Sequence, residues 1–216
     1  MKRFFGLVVA ASVLAVCASA AEELYGDTHV ALKYEEEEMP LRLSAEARAL
    51  PPGTNVAVLE LEDGAAVEVQ LLEAETPETA ANFVRLVEDK FYDGIPFHRV
   101  VPDFVVQAGD ATLVGRENPD ISLEVEADVR ECLRGAVSMA RLARPDEDTG
   151  DVIYGDTSPT QFFILKKDSP HLDDNFCVFG VVVTGMGIVD GIQQGDLIKR
   201  IRILTVAEGE AAAVED

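Results

Sequence analysis

The stretch Phe91-Tyr92-Asp93-Gly94-Ile95-Pro96-Phe97-His98-Arg99-Val100-Val101-Pro102-Asp103-Phe104-Val105-Val106-Gln107-Ala108-Gly109-Asp110 contains two short apolar runs, residues 97–101 and 104–108. Both read as β-strands, with turns around them. Alternation along the first places Phe97 and Arg99 on one face and His98 and Val100 on the other. An arginine among aromatic and apolar residues is costly to bury unpaired, so Arg99 either pairs or faces a groove. Gln107, an amide with donors and an acceptor, follows a short way on, with Phe104 between them. A second amide with two aromatics stands at Gln161-Phe162-Phe163. Together they suggest an apolar groove holding a few fixed donors, the general form of a ligand site.

Upstream, Val56, Val58, Glu60 and Glu62 alternate with Ala57, Leu59 and Leu61, and Val67, Val69 and Leu71 alternate with Glu68 and Gln70. With Asp63-Gly64 between them the pair reads as a hairpin. One clear helix follows: Thr76 can cap it, Pro77 suits its first turn, and Glu78 favours its dipole. Ala80, Phe83, Val84 and Val87 recur at helical spacing, and the helix should end near Lys90. Further strands are expected at 135–140, 161–166, 177–183 and 198–206, with a second short helix at 186–193. Many short strands and few helices argue for a closed barrel or a sandwich. Helices do not alternate with strands, which speaks against a doubly wound parallel sheet.

The chain has 216 residues, enough for one domain plus a modest extension, and a formal net charge of −22. Such acidity disfavours nucleic acid and anionic lipid as partners. Residues 1–20 read as a signal peptide: Lys2 and Arg3, an apolar run over 4–16, then Ala18-Ser19-Ala20 as a cleavage site. A retained anchor and a lipid on Cys17 are the weaker alternatives. Residues 21–52 form an acidic extension with the Glu35 to Glu38 cluster and a helical-looking stretch at 44–50, closed by the breaker Pro51-Pro52-Gly53. The main domain is expected over 53–207, with a tail at 208–216. Cys132 and Cys177 read as buried thiols, with a disulfide between them left open. His29, His98 and His171 are too scattered for a zinc site, and no metal is expected; His98 is expected to make a structural hydrogen bond.

The 91–110 stretch resembles the signature of the cyclophilins. Three further segments agree in order: Gly135-Ala136-Val137-Ser138-Met139-Ala140-Arg141, Thr160-Gln161-Phe162-Phe163-Ile164, and Leu172-Asp173-Asp174-Asn175-Phe176-Cys177-Val178-Phe179-Gly180. The resemblance covers roughly residues 54–207. It implies a mainly β chain: a closed eight-stranded antiparallel β-barrel capped by two α-helices, monomeric and without a cofactor. It also implies peptidyl-prolyl cis-trans isomerase activity on proline-containing unfolded or flexible segments. The family's catalytic arginine falls on Arg99. Its groove residues fall on Phe104, Val105, Gln107, Ala140 and Arg141, and on Gln161, Phe163, Leu172 and Phe176. His171 stands where tryptophan is common, and Phe176 where histidine or tyrosine is. The stretch 141–160 is longer than in short members, reads as a loop bordering the groove, and carries Pro159 near the Gln-Phe-Phe element.

Two functions follow. One is an isomerase that assists the folding of exported proteins, in the periplasm in preference to secretion. The other is a cyclophilin-like module that binds proline-containing segments with little or no turnover.

Overall fold

The hairpin around Asp63-Gly64 forms as its alternation dictates. β1 (Asn55–Leu61) pairs antiparallel with β2 (Ala66–Leu71), with Ala57 opposite Val69 and Leu59 opposite Val67. These four side chains enter one interior core. The computed structural model describes residues 42–126, 130–146 and 152–208. The expected signal peptide, the Glu35 to Glu38 cluster and the tail beyond 208 lie outside the described residues.

The remaining strands are β3 (Arg99–Val101), β4 (Val105–Ala108), β5 (Ala136–Pro145), β6 (Val152–Leu165), β7 (Val178–Thr184) and β8 (Ile198–Thr205). They join one antiparallel sheet in the order β3-β4-β6-β5-β7-β2-β1-β8. Just before β3 and β8, Pro96 bridges Leu197, and the Phe97 N–H donates to the Asp196 carbonyl at 2.9 Å. The segments that lead into the two end strands therefore meet, and the eight antiparallel strands curl into a barrel-like sheet.

Among the described residues three α-helices pack on this sheet: α1 (Ala45–Arg48), α2 (Pro77–Glu88) and α3 (Met186–Gly191). α2 buries Ala80, Phe83, Leu86 and Val87, the apolar stripe its periodicity requires. The Phe83 ring lies 5.2 Å from Tyr92, 5.7 Å from Phe162 and 5.0 Å from Phe179, so one side chain joins the helix to the barrel core. Pro77 opens the helix as expected, but Thr76 does not cap it. The Thr76 hydroxyl donates to the Leu72 carbonyl instead. The first-turn N–H groups of Glu78 and Thr79 donate to the Glu126 carboxylate, at 3.1 and 2.8 Å. A carboxylate beats a hydroxyl there, because it is a stronger acceptor and carries the charge that the helix N-terminus favours.

The end of the expected extension is tied to the barrel's outer face. Ser44 accepts from the Ala47 N–H, caps α1, and donates its hydroxyl to the Glu68 carboxylate on β2; Ala47 is buried. On the same outer face Glu60 accepts from Arg200 and Arg202.

The largest departure from expectation lies in the stretch 141–160. Its described residues are not a loop: β5 and β6 run on through 141–145 and 152–160 as a paired ribbon. Pro159 argues against a strand because it lacks a donor. The structure accommodates it in a bulge, where Ala140 alone on β5 stands against residues 158–161 on β6. Cys132 and Cys177 are both free thiols, Cys177 in the interior core and Cys132 in a second apolar cluster outside the barrel wall. Burial pushes the Cys132 thiol up to about 12 and the Cys177 thiol up to about 11. Among the described residues no helix is long and apolar enough to cross a membrane, and no cluster of metal-ligating side chains occurs.

Candidate functional site

The turn between β3 and β4 sets the site's geometry. The Phe104 N–H donates to the Val101 carbonyl at 3.2 Å, and Asp103 takes φ 55°. This tight reversal puts Arg99 opposite Gln107, Val100 opposite Val106, and Val101 opposite Val105. β4 then pairs with β6 so that Gln107 stands opposite Phe163 and Val106 opposite Ile164. Side chains directly opposite on neighbouring strands share a face. Arg99, Gln107 and Phe163 therefore form one row on the barrel's outer surface. The next row, Val100, Val106 and Ile164, joins the interior core.

The row is wired by hydrogen bonds. Arg99 Nη1 donates to Gln107 Oε1 at 3.4 Å, and Gln107 Nε2 donates to Gln161 Oε1 at 3.0 Å. The Arg99 guanidinium also lies over the Phe104 ring, 5.8 Å from its centre. Beside this polar line lies an apolar floor. Phe163 meets Phe176 edge to face at 5.4 Å, and Val105, Ala140 and Leu172 complete the same cluster. His171 is exposed on the rim, stacked on Phe104 at 5.8 Å. The cleft so formed measures about 410 Å³.

All but one of the residues expected in the groove line this cleft. Arg99, Phe104, Val105, Gln107 and Ala140 do so, as do Phe163, His171, Leu172 and Phe176. Arg141 lines it too, but its guanidinium is committed to the backbone carbonyls of Tyr154, Gly155 and Asn175. Gln161 stands behind Gln107, as the end of the hydrogen-bonded line. Two lining residues escaped the sequence reading, Ala143 and Tyr154. The spacing of Val152 and Tyr154 was a period-two signal for them, hidden by the reading of 141–160 as a loop.

The alternation assumed at the start of β3 does not hold. Phe97 is buried in the interior core while Arg99 faces out, so the two do not share a face. Regular strand begins only at Arg99. Phe97 is held by the closing contacts to residues 195 and 196, which reset the alternation. His98 does not make the expected hydrogen bond: its Nδ1 is buried without a partner among the described residues.

Burial holds the His98 imidazole below the usual histidine range; Asp110 opposes this and Arg99 adds to it. The unfolded chain therefore takes up a proton at this position before the folded chain does. Stability present above the ordinary histidine value is lost as the pH falls through that value toward the lower folded one. Denaturation midpoints measured from pH 7 down to pH 5 should fall for the parent protein and fall less for His98→Asn. An equal slope in both would assign the effect to other groups.

Comparison with known proteins converges on one family. Residues 56–208 match the profile described as cyclophilin type peptidyl-prolyl cis-trans isomerase/CLD. Peptidyl-prolyl cis-trans isomerase B of Bacillus subtilis is 37% identical over 145 residues, covering 66% of this chain and 94% of that protein. A peptidyl-prolyl cis-trans isomerase of Synechococcus elongatus is 35% identical over 153 residues, covering 70% and 97%. A crystal structure of a Cryptosporidium parvum cyclophilin type isomerase superposes with a TM-score of 0.58 at 22% identity, over 70% of this chain and 98% of that one. The same Cryptosporidium protein has been crystallised in the presence of the dipeptide Ala-Pro, with a TM-score of 0.57 to this chain.

Proposed function

The chain belongs to the cyclophilin-type peptidyl-prolyl cis-trans isomerases and catalyses rotation about X-Pro peptide bonds; we propose that Arg99 is its catalytic group and Gln107 the residue that positions it. Amide resonance sets a rotation barrier of about 18–20 kcal/mol. Rotation needs the prolyl nitrogen to become pyramidal and to develop a lone pair. A guanidinium N–H donated to that lone pair stabilises the twisted state more than either planar one, and so lowers the barrier. No nucleophile or general base is needed. The proline ring would sit on the apolar floor of Phe163, Leu172 and Phe176, with Phe104 at its edge.

The observation that carries this reading is the line Arg99–Gln107–Gln161 running beside that floor. A donor tied to a fixed amide, itself tied to a second, spends little free energy on reorganising during rotation. The Ala-Pro dipeptide used with the Cryptosporidium protein supports the same ligand class, proline-containing segments, for this cleft. The test is an X-Pro isomerisation assay on the mature protein and Arg99→Ala side by side. Turnover that collapses in the variant supports the assignment. Folded protein that binds proline peptides without turnover would favour the binding module, a reading to which the His171 rim and the apolar Phe176 lend some support.

We further propose that the protein acts on exported polypeptides in the periplasm. The support is the basic, apolar and small-residue sequence of the first twenty positions. Expression in a bacterial host should yield a mature chain beginning at Ala21, read by N-terminal sequencing of the periplasmic fraction. An intact Met1 terminus in the cytoplasm would overturn it.

A further inference from the structure

We propose that the β5–β6 ribbon adds a specificity wall to the groove, on which Tyr154 selects an apolar side chain in the residue next to the substrate proline. The inference rests on the isomerase reading of the cleft and names the polypeptide segments that it prefers.

The ribbon extends the groove without a break. Ala143 stands opposite Tyr154, and both line the cleft that holds Arg99. The Tyr154 ring meets Phe176 edge to face at 5.0 Å, and Phe176 meets Phe163 at 5.4 Å. Three aromatic rings thus run in contact from the middle of the floor toward the ribbon. The Arg99–Phe104–His171 group forms the other part of the lining. A proline ring on the floor with its nitrogen toward Arg99 leaves the Tyr154 end for a neighbouring side chain.

This wall is held in place. Arg141 donates to the Tyr154 and Gly155 carbonyls on β6 and to the Asn175 carbonyl next to Phe176. Its guanidinium also lies 5.7 Å from the centre of the Tyr154 ring. One side chain therefore pins the ribbon to the segment that carries the floor, which makes Arg141 a positioning residue. Preorganisation of this kind turns contact into selectivity, because little ordering is left for binding to impose.

The chemistry of the wall decides what it accepts. Val152 shares the Tyr154 face of β6 and is 58% exposed. A leucine or phenylalanine placed at the Tyr154 end loses water from apolar surface on both partners. A serine or aspartate has no apolar surface of that size to bury and gives up hydration against the Tyr154 and Phe176 rings.

The experiment uses the mature chain and two series of otherwise identical X-Pro peptides. One series varies the residue before proline and the other the residue after it, each carrying Leu, Phe, Ser or Asp. NMR titration gives affinity, and exchange spectroscopy on the same samples gives the isomerisation rate. In one of the two series Leu and Phe should exceed Ser and Asp by about tenfold in kcat/KM, and Tyr154→Ala should cut that ratio to about twofold, with Tyr154→Phe retaining it. A ratio unchanged in Tyr154→Ala, or no apolar preference in either series, overturns the proposal. Val152→Asp, at an exposed position, guards against a misfolded Tyr154 variant: a reduced apolar preference supports the wall and an unchanged one opposes it. A Tyr154-dependent preference in affinity, with no exchange in any protein, would keep the wall and sink the isomerase reading.

Discussion

Arg99→Ala should lower kcat/KM for an X-Pro peptide by about 10²- to 10³-fold, the loss typical of one preorganised transition-state donor. The loss should fall mainly on kcat, because the bond to the prolyl nitrogen forms only as that nitrogen becomes pyramidal. Arg99 is exposed, its ring contact is at the groove edge, and its one side-chain hydrogen bond is to Gln107. The fold should therefore survive, with a melting temperature close to that of the parent. Arg99→Lys should recover only part of the rate. An ammonium lacks the planar fork that can donate to Gln107 and to substrate at once. Isomerisation measured by NMR exchange checks both variants. A folded Arg99→Ala protein with parental turnover would remove Arg99 from the mechanism.

Gly109→Ala should be among the most damaging single-methyl changes in the chain. Gly109 has φ +98°, and a Cβ there would stand 2.2 Å from the Thr160 carbonyl oxygen and 2.9 Å from Gln161 Cα. Both are backbone atoms of β6, so no side chain can swing aside. The Thr160 oxygen is also the acceptor for the buried Tyr92 hydroxyl, at 3.1 Å. Relief requires β4 and β6 to separate, and that strand pair sets Gln107 against Phe163 and Gln161. We expect a stability loss of about 3 kcal/mol or more and a fall in melting temperature of about 6–12 °C. Turnover should fall with it. Gly64→Ala is the control: Gly64 also has a positive φ, +86°, but nothing lies within 4 Å of an added Cβ. Its cost should stay near the backbone term alone, about 1–2 kcal/mol. Equal losses in the two variants would show that the close approach of β4 and β6 does not matter.

Much of the site could be read locally. In β4 the alternation of Val105 and Gln107 against Val106 and Ala108 is the alternation found: the first pair lines the cleft and the second enters the core. The same is true of Phe162 and Phe163, the first in the core and the second in the groove. Where local reading failed, a distant partner had intervened. Thr76 lost its capping role to Glu126, far along the chain. Phe97 changed sides because residues 195 and 196 hold it. Pro159 concealed a strand because a bulge has no use for the missing N–H.

Local sequence was enough for most of the strands, the main helix, the apolar floor and the arginine with its amides, though not for the ribbon ends of β5 and β6, because side-chain periodicity and turn chemistry act over a few residues. The tertiary structure alone decided that Arg99, Gln107 and Phe163 stand in one row, that Arg141 is a staple, and that Tyr154 reaches the cleft. Those facts depend on strand register and bulges, which are set by which backbone groups pair across long sequence separations.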